Sequence, residues 1–148
     1  MQTTINRLYT KAHTLLHLGD ADGFVYAEDI VSLNKEVHGL VDQLWKTQGQ
    51  DNEEEARLCL SILMAYNGMI YADTSNAEIR RSIYQRACTV LSKLPSSLLK
   101  CQLLVFCYAE CGEEQFAREV KQIVASWEGR ELSREEREVL EVFEVVEK

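Results

Sequence analysis

Two aspartates and a glycine in the stretch LGDADGFVYAEDIVSLNKEV, residues 18–37, are residue types found in calcium-binding loops. An EF-hand loop needs oxygen ligands at its first, third and fifth positions, glycine at the sixth and a bidentate glutamate at the twelfth. Counted from Asp20, Asp22 fills the third position. The fifth, sixth and twelfth positions hold an aromatic and two aliphatic residues, Phe24, Val25 and Val31. The spacing excludes an EF-hand, and Asp22-Gly23 instead predicts a turn.

His13 and His17 have the i, i+4 spacing of a zinc-binding pair on a helix. The metalloprotease motif also needs a glutamate directly after the first histidine, and Thr14 occupies that position. We therefore expect exposed or half-exposed histidines and no metal.

Cys101, Cys107 and Cys111 are the closest group among the five cysteines. At about 100° per residue along a helix, Cys107 and Cys111 share a face and Cys101 points elsewhere. Three thiolates on this helix therefore cannot meet at one metal, and we expect buried cysteines that act as small hydrophobic residues. An odd number of cysteines without repeated CxxC pairs indicates reduced thiols and a cytoplasmic protein.

Sequence motifs of catalysis and nucleotide binding are absent: the chain has no GxGxxG, no Walker loop and no GxSxG. The glutamate-rich runs at 53–55 and 135–138 are typical of helix starts and solvated faces. The sequence therefore predicts a protein that is not an enzyme and has no cofactor.

The charge balance argues against direct binding to nucleic acid. The net charge is −8, from 24 acidic and 16 basic residues, and phosphate binding needs clustered Lys and Arg. The small basic group of Arg80, Arg81 and Arg86 is interpreted as a solvated face.

A membrane span is also excluded, because the longest apolar run, 103–109, is far too short. The N-terminal residues have no apolar stretch typical of a secretory signal.

Apolar residues recur at helical spacing almost throughout, and breakers are scarce, with one proline and seven glycines. The predicted helix ends are Gly19, Gly49, about Ala72, Pro95, Gly112 and Gly129. Ser75 with Glu78 and Ser133 with Glu136 are predicted capping boxes, and Ser96 or Ser97 can cap another helix. Phe24-Val25-Tyr26 is the sole strand candidate and is too short to build a sheet. We predict an all-α fold of six or seven helices in antiparallel hairpins, forming a single domain over 1–148.

The hairpins at 53–94 and 97–127 form the best internal repeat. In the second hairpin, four residues match the tetratricopeptide spacing, namely Leu104, Tyr108, Gly112 and Ala117. The match is partial because Val105 stands where that pattern has a small residue. We therefore predict α-solenoid or tetratricopeptide-like packing in the C-terminal half.

Four segments carry a resemblance to a known family: LLHLGDADGFVYAEDIVSLNKEVHGLVDQLW, EEEARLCLSILMAYNGMIY, LPSSLLKCQLLVFCY and SWEGRELSREEREV. In order and spacing they resemble the UpxZ family, small proteins encoded in capsular polysaccharide loci of gut bacteria. The resemblance implies a regulator of transcription. Each such locus has its own NusG-like antitermination factor, UpxY, and UpxZ proteins antagonise the factors of other loci.

The partner implied by the resemblance is thus a NusG-like protein of the UpxY type. As partner-binding residues we predict Asp22, Phe24, Tyr26 and Asp29, because they place acids and aromatics in a connector, 20–29, where functional groups often lie. The alternative is that Phe24 and Tyr26 pack back onto the helices.

A rival hypothesis for the whole chain is a generic helical-repeat adaptor that binds a peptide or protein in a groove between hairpins. Exposed Tyr, Asn and Arg side chains from residues 66–86 would line such a groove.

Overall fold

The chain is α-helical wherever the structure describes it. In the computed structural model the described residues are 2–16, 27–68 and 74–147, and no strand occurs among them. The helices are α1 Gln2–Leu16, α2 Ala27–Leu44, α3 Asn52–Gly68, α4 Thr74–Leu91, α5 Leu98–Cys111, α6 Glu114–Ala125 and α7 Arg134–Glu147. The prediction of an all-α fold with six or seven helices is confirmed. The strand candidate at 24–26 lies outside the described residues.

Helix α3 lies at the centre of the packing because its second half is buried around the whole circumference. Residues 58–66 are all buried. Helices α1, α4 and α5 pack directly against α3, and α2 contacts both α1 and α3. A helix that is apolar all round is stable only when other helices cover every side.

Helix α5 is a second packing centre. It contacts α3, α4, α6 and α7, and residues 103–108 are buried. This agrees with its sequence, which is apolar on nearly every side. None of the described helices is both long and apolar enough to cross a membrane.

Consecutive helices α3 and α4 pack against each other, as do α5 and α6, so both predicted hairpins are present. Buried residues from all seven helices join one hydrophobic cluster. The tetratricopeptide-like packing and the single-domain organisation over 1–148 stay predictions.

Several helix ends are set by caps that the sequence indicates. Ser97 Oγ accepts a hydrogen bond from Lys100 N at 3.2 Å at the start of α5, and Gly112 ends that helix with a φ of 69°. At the start of α7, Ser133 Oγ accepts from Glu136 N at 3.2 Å, and Glu136 Oε1 accepts from Ser133 N at 2.8 Å. The predicted capping box is therefore confirmed.

The predicted boundaries of α2 and α4 were wrong. Helix α2 ends at Leu44 and not at Gly49, because Thr47 donates to the Leu44 oxygen with both its backbone N–H, at 2.9 Å, and its hydroxyl, at 2.7 Å. Gly49 instead lies against the start of α3, where an added Cβ would stand 2.3 Å from Glu55 N. Helix α4 stops at Leu91, before Pro95, whereas the predicted end of α3 near Ala72 lies outside the described residues.

Helix α4 begins at Thr74, so Ser75 lies inside the helix rather than at its cap. Its side chain is outside the described residues.

Candidate binding cleft

The predicted partner-binding connector falls largely outside the described residues. Asp22, Phe24 and Tyr26 are not described, and Asp29 is described only as part of the backbone of α2. Their role in binding, and the choice between exposed and packed Phe24 and Tyr26, stay predictions.

The predicted histidine pair is described only in part, because His17 lies outside the described residues. Asp20, the first position of the calcium-loop candidate, lies outside them as well. His13 on α1 is half-buried, and its Nε2 lies 2.8 Å from Glu138 Oε2 on α7. The His13 side chain therefore connects two helices that are far apart in sequence. Within the described ranges, no three His, Cys, Asp or Glu side chains are grouped to hold a metal ion.

The cysteines are mostly buried, as predicted. Burial raises the pKa of Cys59 and Cys101 to about 12 and also raises the pKa of Cys107, so these thiols stay protonated at neutral pH. Cys111 departs from the prediction because it is exposed at the end of α5.

The interpretation of the three arginines as a solvated face was wrong for Arg86, whose side chain is 20% exposed. Arg86 donates to both carboxylate oxygens of Glu55 at 2.6 and 2.8 Å, and Arg80 donates to Glu110 at 2.7 Å. Arg81 is exposed. Burial raises the pKa of Glu55, but the hydrogen bonds from Arg86 and Gly49 N outweigh it and hold that pKa below its usual range. Arg86 is therefore part of the fold, whereas Arg80 makes a half-exposed ion pair.

The adaptor hypothesis placed a groove along residues 66–86, and the described part of this region is largely occupied by packing. Tyr66 is buried, Tyr84 is half-buried and Arg86 is bonded to Glu55. A large cleft in the described structure lies elsewhere.

This cleft, which we call the α1–α3–α5 cleft, has a volume of about 610 Å³. Helix α3 forms its floor, α1 forms one wall, and the start of α5 with the preceding loop forms the other. The first residues of α7 contribute to its rim. The lining residues are Ile5, Asn6, Tyr9, Thr10, Glu53, Arg57, Leu60, Ser61, Leu94, Pro95, Ser97, Leu98, Leu99, Gln102 and Glu135.

The inner surface of the α1–α3–α5 cleft is apolar. Ile5 and Leu60 are almost completely buried behind it. Leu98 and Leu99, at the start of α5, are only half-buried, and Pro95 before them is exposed. A concave surface with accessible apolar side chains is the kind of lining that ligand pockets have.

The outer rim of the α1–α3–α5 cleft is acidic. Glu53 and Arg57, on successive turns of α3, form an ion pair at 3.0 Å, and Glu135 at the start of α7 is exposed. A shallow depression adjoins the cleft through the same ion pair and adds Asp51 and Glu54. The carboxylates of the rim therefore outnumber its one guanidinium.

Two contacts hold α1 against α5 and α7 beside the α1–α3–α5 cleft. Gln102 Nε2 donates to the Tyr9 hydroxyl at 3.2 Å, and the His13–Glu138 contact follows one turn later along α1. Burial raises the pKa of Tyr9, so its hydroxyl stays neutral at physiological pH. The Tyr9 and His13 rings stack, with centroids 6.3 Å apart. These contacts close one end of the cleft and leave the rest open.

Sequence reasoning missed the α1–α3–α5 cleft because its residues come from distant segments. Tyr9 and Gln102, for example, are 93 residues apart. A local signal does exist in Pro95-Ser-Ser-Leu-Leu99, where two leucines directly follow a helix cap. Leucines in a first helical turn contact the core on only one side unless another element covers them.

Comparison with known proteins gives two matches. A sequence model of the UpxZ family of transcription anti-terminator antagonists matches residues 5–109. The crystal structure of a transcription anti-terminator antagonist UpxZ from Bacteroides uniformis is similar to this chain, with a TM-score of 0.89 and 34% sequence identity. That similarity covers 99% of this chain and 91% of the other. No curated protein matches the sequence.

The family match and the solved structure agree with the resemblance seen in the sequence. The family match spans well over half of the chain, and the solved structure extends the similarity to helices α6 and α7. The chain belongs to the UpxZ family of transcription anti-terminator antagonists.

Proposed function

We propose that this chain antagonises NusG-like antitermination factors of the UpxY type that serve other capsular polysaccharide loci. It acts in the cytoplasm by direct protein–protein contact and without catalysis. Contact with the factor blocks its productive engagement with the elongating polymerase, so that transcription of the other loci stops early.

One observation carries the proposal: the chain is 34% identical to an anti-terminator antagonist over 99% of its length. The charge supports a protein target rather than the transcript, because a net charge of −8 repels RNA phosphates. The open apolar surface of the α1–α3–α5 cleft supports binding to a protein as well.

The connector at 20–29 is the second contact region that we propose, through Asp22, Phe24, Tyr26 and Asp29. Alanine at Asp22 and Asp29 should weaken antagonism with little change in the melting temperature, although Asp29 lies in the first turn of α2, where a carboxylate contributes about 0.3–1 kcal/mol. Equal antagonism by the wild type and by these variants would remove the connector from the proposal.

The deciding experiment is a pull-down between the tagged chain and purified NusG-like antitermination factors from several capsular loci. A readthrough reporter placed behind the leader of each locus, measured with and without overexpression of the chain, gives the functional result. We expect binding to factors of other loci and loss of readthrough at their leaders. Binding to none of the factors, together with unchanged readthrough, would refute the proposal.

A further inference from the structure

We propose that the α1–α3–α5 cleft binds a basic segment of the antitermination factor that also carries exposed apolar side chains. This inference rests on the proposed function, because it names the part of the partner that the antagonist holds. It is carried by the shape of the cleft, its apolar lining and the charge of its rim.

The apolar lining supplies the driving force for binding. Leu98 and Leu99 are half-buried and Pro95 is exposed, so a partner side chain that enters the α1–α3–α5 cleft removes their remaining surface from water. Ile5 and Leu60 close the cleft from behind. A cleft of about 610 Å³ lies in the range of roughly 300–1,000 Å³ that is typical of binding pockets.

The charge of the rim selects a basic partner. The carboxylates of Asp51, Glu53, Glu54 and Glu135 lie around the α1–α3–α5 cleft and the adjoining depression, and among the described residues Arg57 is the one cation that lines them. That guanidinium is already bonded to Glu53 at 3.0 Å. Lysine or arginine side chains beside the apolar anchor would therefore be attracted, and an acidic segment would be repelled. A second copy of this chain, with its net charge of −8, is a poor occupant for the same reason.

The α1–α3–α5 cleft exists before any partner arrives. The Tyr9–Gln102 and His13–Glu138 contacts fix α1 relative to α5 and α7. Little conformational freedom is lost on binding when the site is already formed. We therefore expect substitutions at the rim or mouth to change affinity without changing the fold.

The test measures the affinity of purified variants for the purified antitermination factor by titration calorimetry. Asn6→Trp places a bulky ring in the mouth of the α1–α3–α5 cleft, since Asn6 is exposed and lines it. Thr14→Trp is the matched control, because Thr14 is exposed on the same helix and does not line the cleft. Glu135→Lys reverses a rim charge. Glu114→Lys is its control, because Glu114 is also an exposed acid in the first turn of a helix.

We expect Asn6→Trp to weaken binding by about tenfold or more, as blocking a central contact does. Glu135→Lys should weaken it about three- to fivefold, the size expected when one exposed charge pair becomes repulsive. Both control variants should bind within about twofold of the wild type, and added salt should weaken wild-type binding. Melting temperatures show whether each variant is folded. If Asn6→Trp is unfolded, the exposed Glu135→Lys still decides the matter.

Two negative results are distinguishable. If the wild type binds the factor and both cleft variants bind as tightly as their controls, the cleft proposal is overturned and the proposed function stands. If the wild type binds no antitermination factor, the proposed function is overturned and the cleft proposal with it.

Discussion

Arg86 joins three parts of the molecule, and its loss should destabilise the fold although it lies near the surface. Besides its two bonds to Glu55 at the start of α3, its guanidinium donates to the backbone oxygens of Trp45 at 2.9 Å and Thr47 at 2.6 Å. Those two carbonyls follow the end of α2. Helix α4 is therefore tied to α3 and to the loop between α2 and α3.

The magnitude follows from what each substitution leaves unpaired. The Glu55 side chain is 19% exposed. Arg86→Ala therefore leaves a mostly buried carboxylate without its arginine partner, and it leaves two backbone carbonyls without the donor that Arg86 supplied. Breaking a fully buried ion pair costs about 3–5 kcal/mol, and water can reach part of this site, so we expect about 3 kcal/mol. For a chain of this size that loss lowers the melting temperature by roughly 6–12 °C.

Arg86→Lys separates charge from geometry. A lysine ammonium keeps the attraction to Glu55, but it cannot make a bidentate bond and reach two carbonyls at the same time. We expect Arg86→Lys to recover about half of the lost stability, or roughly 1.5 kcal/mol, if each hydrogen bond from a charged group is worth about that much.

Urea unfolding followed by far-UV circular dichroism gives the free energy of unfolding for each variant. Arg81→Ala is the control, because Arg81 is exposed on the same helix and should change stability by less than about 0.5 kcal/mol. If Arg86→Ala were no more destabilising than Arg81→Ala, the structural role of Arg86 would be refuted. A fully stable Arg86→Lys would show that the bonds to the carbonyls contribute nothing.

The remaining predictions concern pH, a glycine and the thiols. Hydrogen bonds from Arg130 and from the Ser133 backbone lower the pKa of Glu136 from 4.5 to about 2. The stability that this carboxylate contributes is therefore complete above about pH 4.5 and is lost as the pH falls toward 2. In urea titrations Glu136→Gln should lose less stability than the wild type between about pH 5 and pH 3. Equal losses in the two proteins would contradict this. Gly112→Ala should lower the free energy of unfolding by about 1–2 kcal/mol, because the φ of Gly112 is 69°. Gly39→Ala should leave the free energy of unfolding unchanged or raise it, because Gly39 lies in α2 with open space around it. The same sign for both variants would count against the role of Gly112 as a helix cap. With Ellman's reagent the exposed Cys111 should react first. The thiols of Cys59, Cys101 and Cys107 are buried, so rapid labelling of any of them in the native protein would contradict that packing.

Helix number, helix faces and most caps were predictable because they depend on residues within four positions of one another. The capping box of Ser133 and Glu136 and the end of α5 at Gly112 are both local in this sense. The end of α2 was not, because Gly49 is required by close packing against Glu55 in the next helix rather than by a helix end. Glycine marks a close approach of two backbones as well as a turn, and the sequence does not distinguish the two.

The side-chain roles of Arg86 and Cys111 could not be predicted for a related reason. Arg86 lies at the edge of the apolar face of α4, and only the tertiary fold brings Glu55, 31 residues away, to meet it. Cys111 shares a helix face with the buried Cys107 but lies one turn later, where the helix ends and the neighbouring helices no longer cover it. Periodicity predicts which direction a side chain points, but not how far along the helix the covering elements extend.

The α1–α3–α5 cleft could not be predicted from the sequence for the same reason. Helices α1 and α5 both pack against α3. The buried face of α1 was evident from its apolar spacing, and α5 is apolar on nearly every side. The distance between two helices on a common neighbour depends on the angle at which each crosses it, and no pattern within one helix contains that angle. A binding surface formed in such a gap carries no motif, because its residues need only line the gap and present the right charge. The binding surface that we propose therefore follows from packing, and catalytic or metal-binding motifs in the sequence do not indicate it.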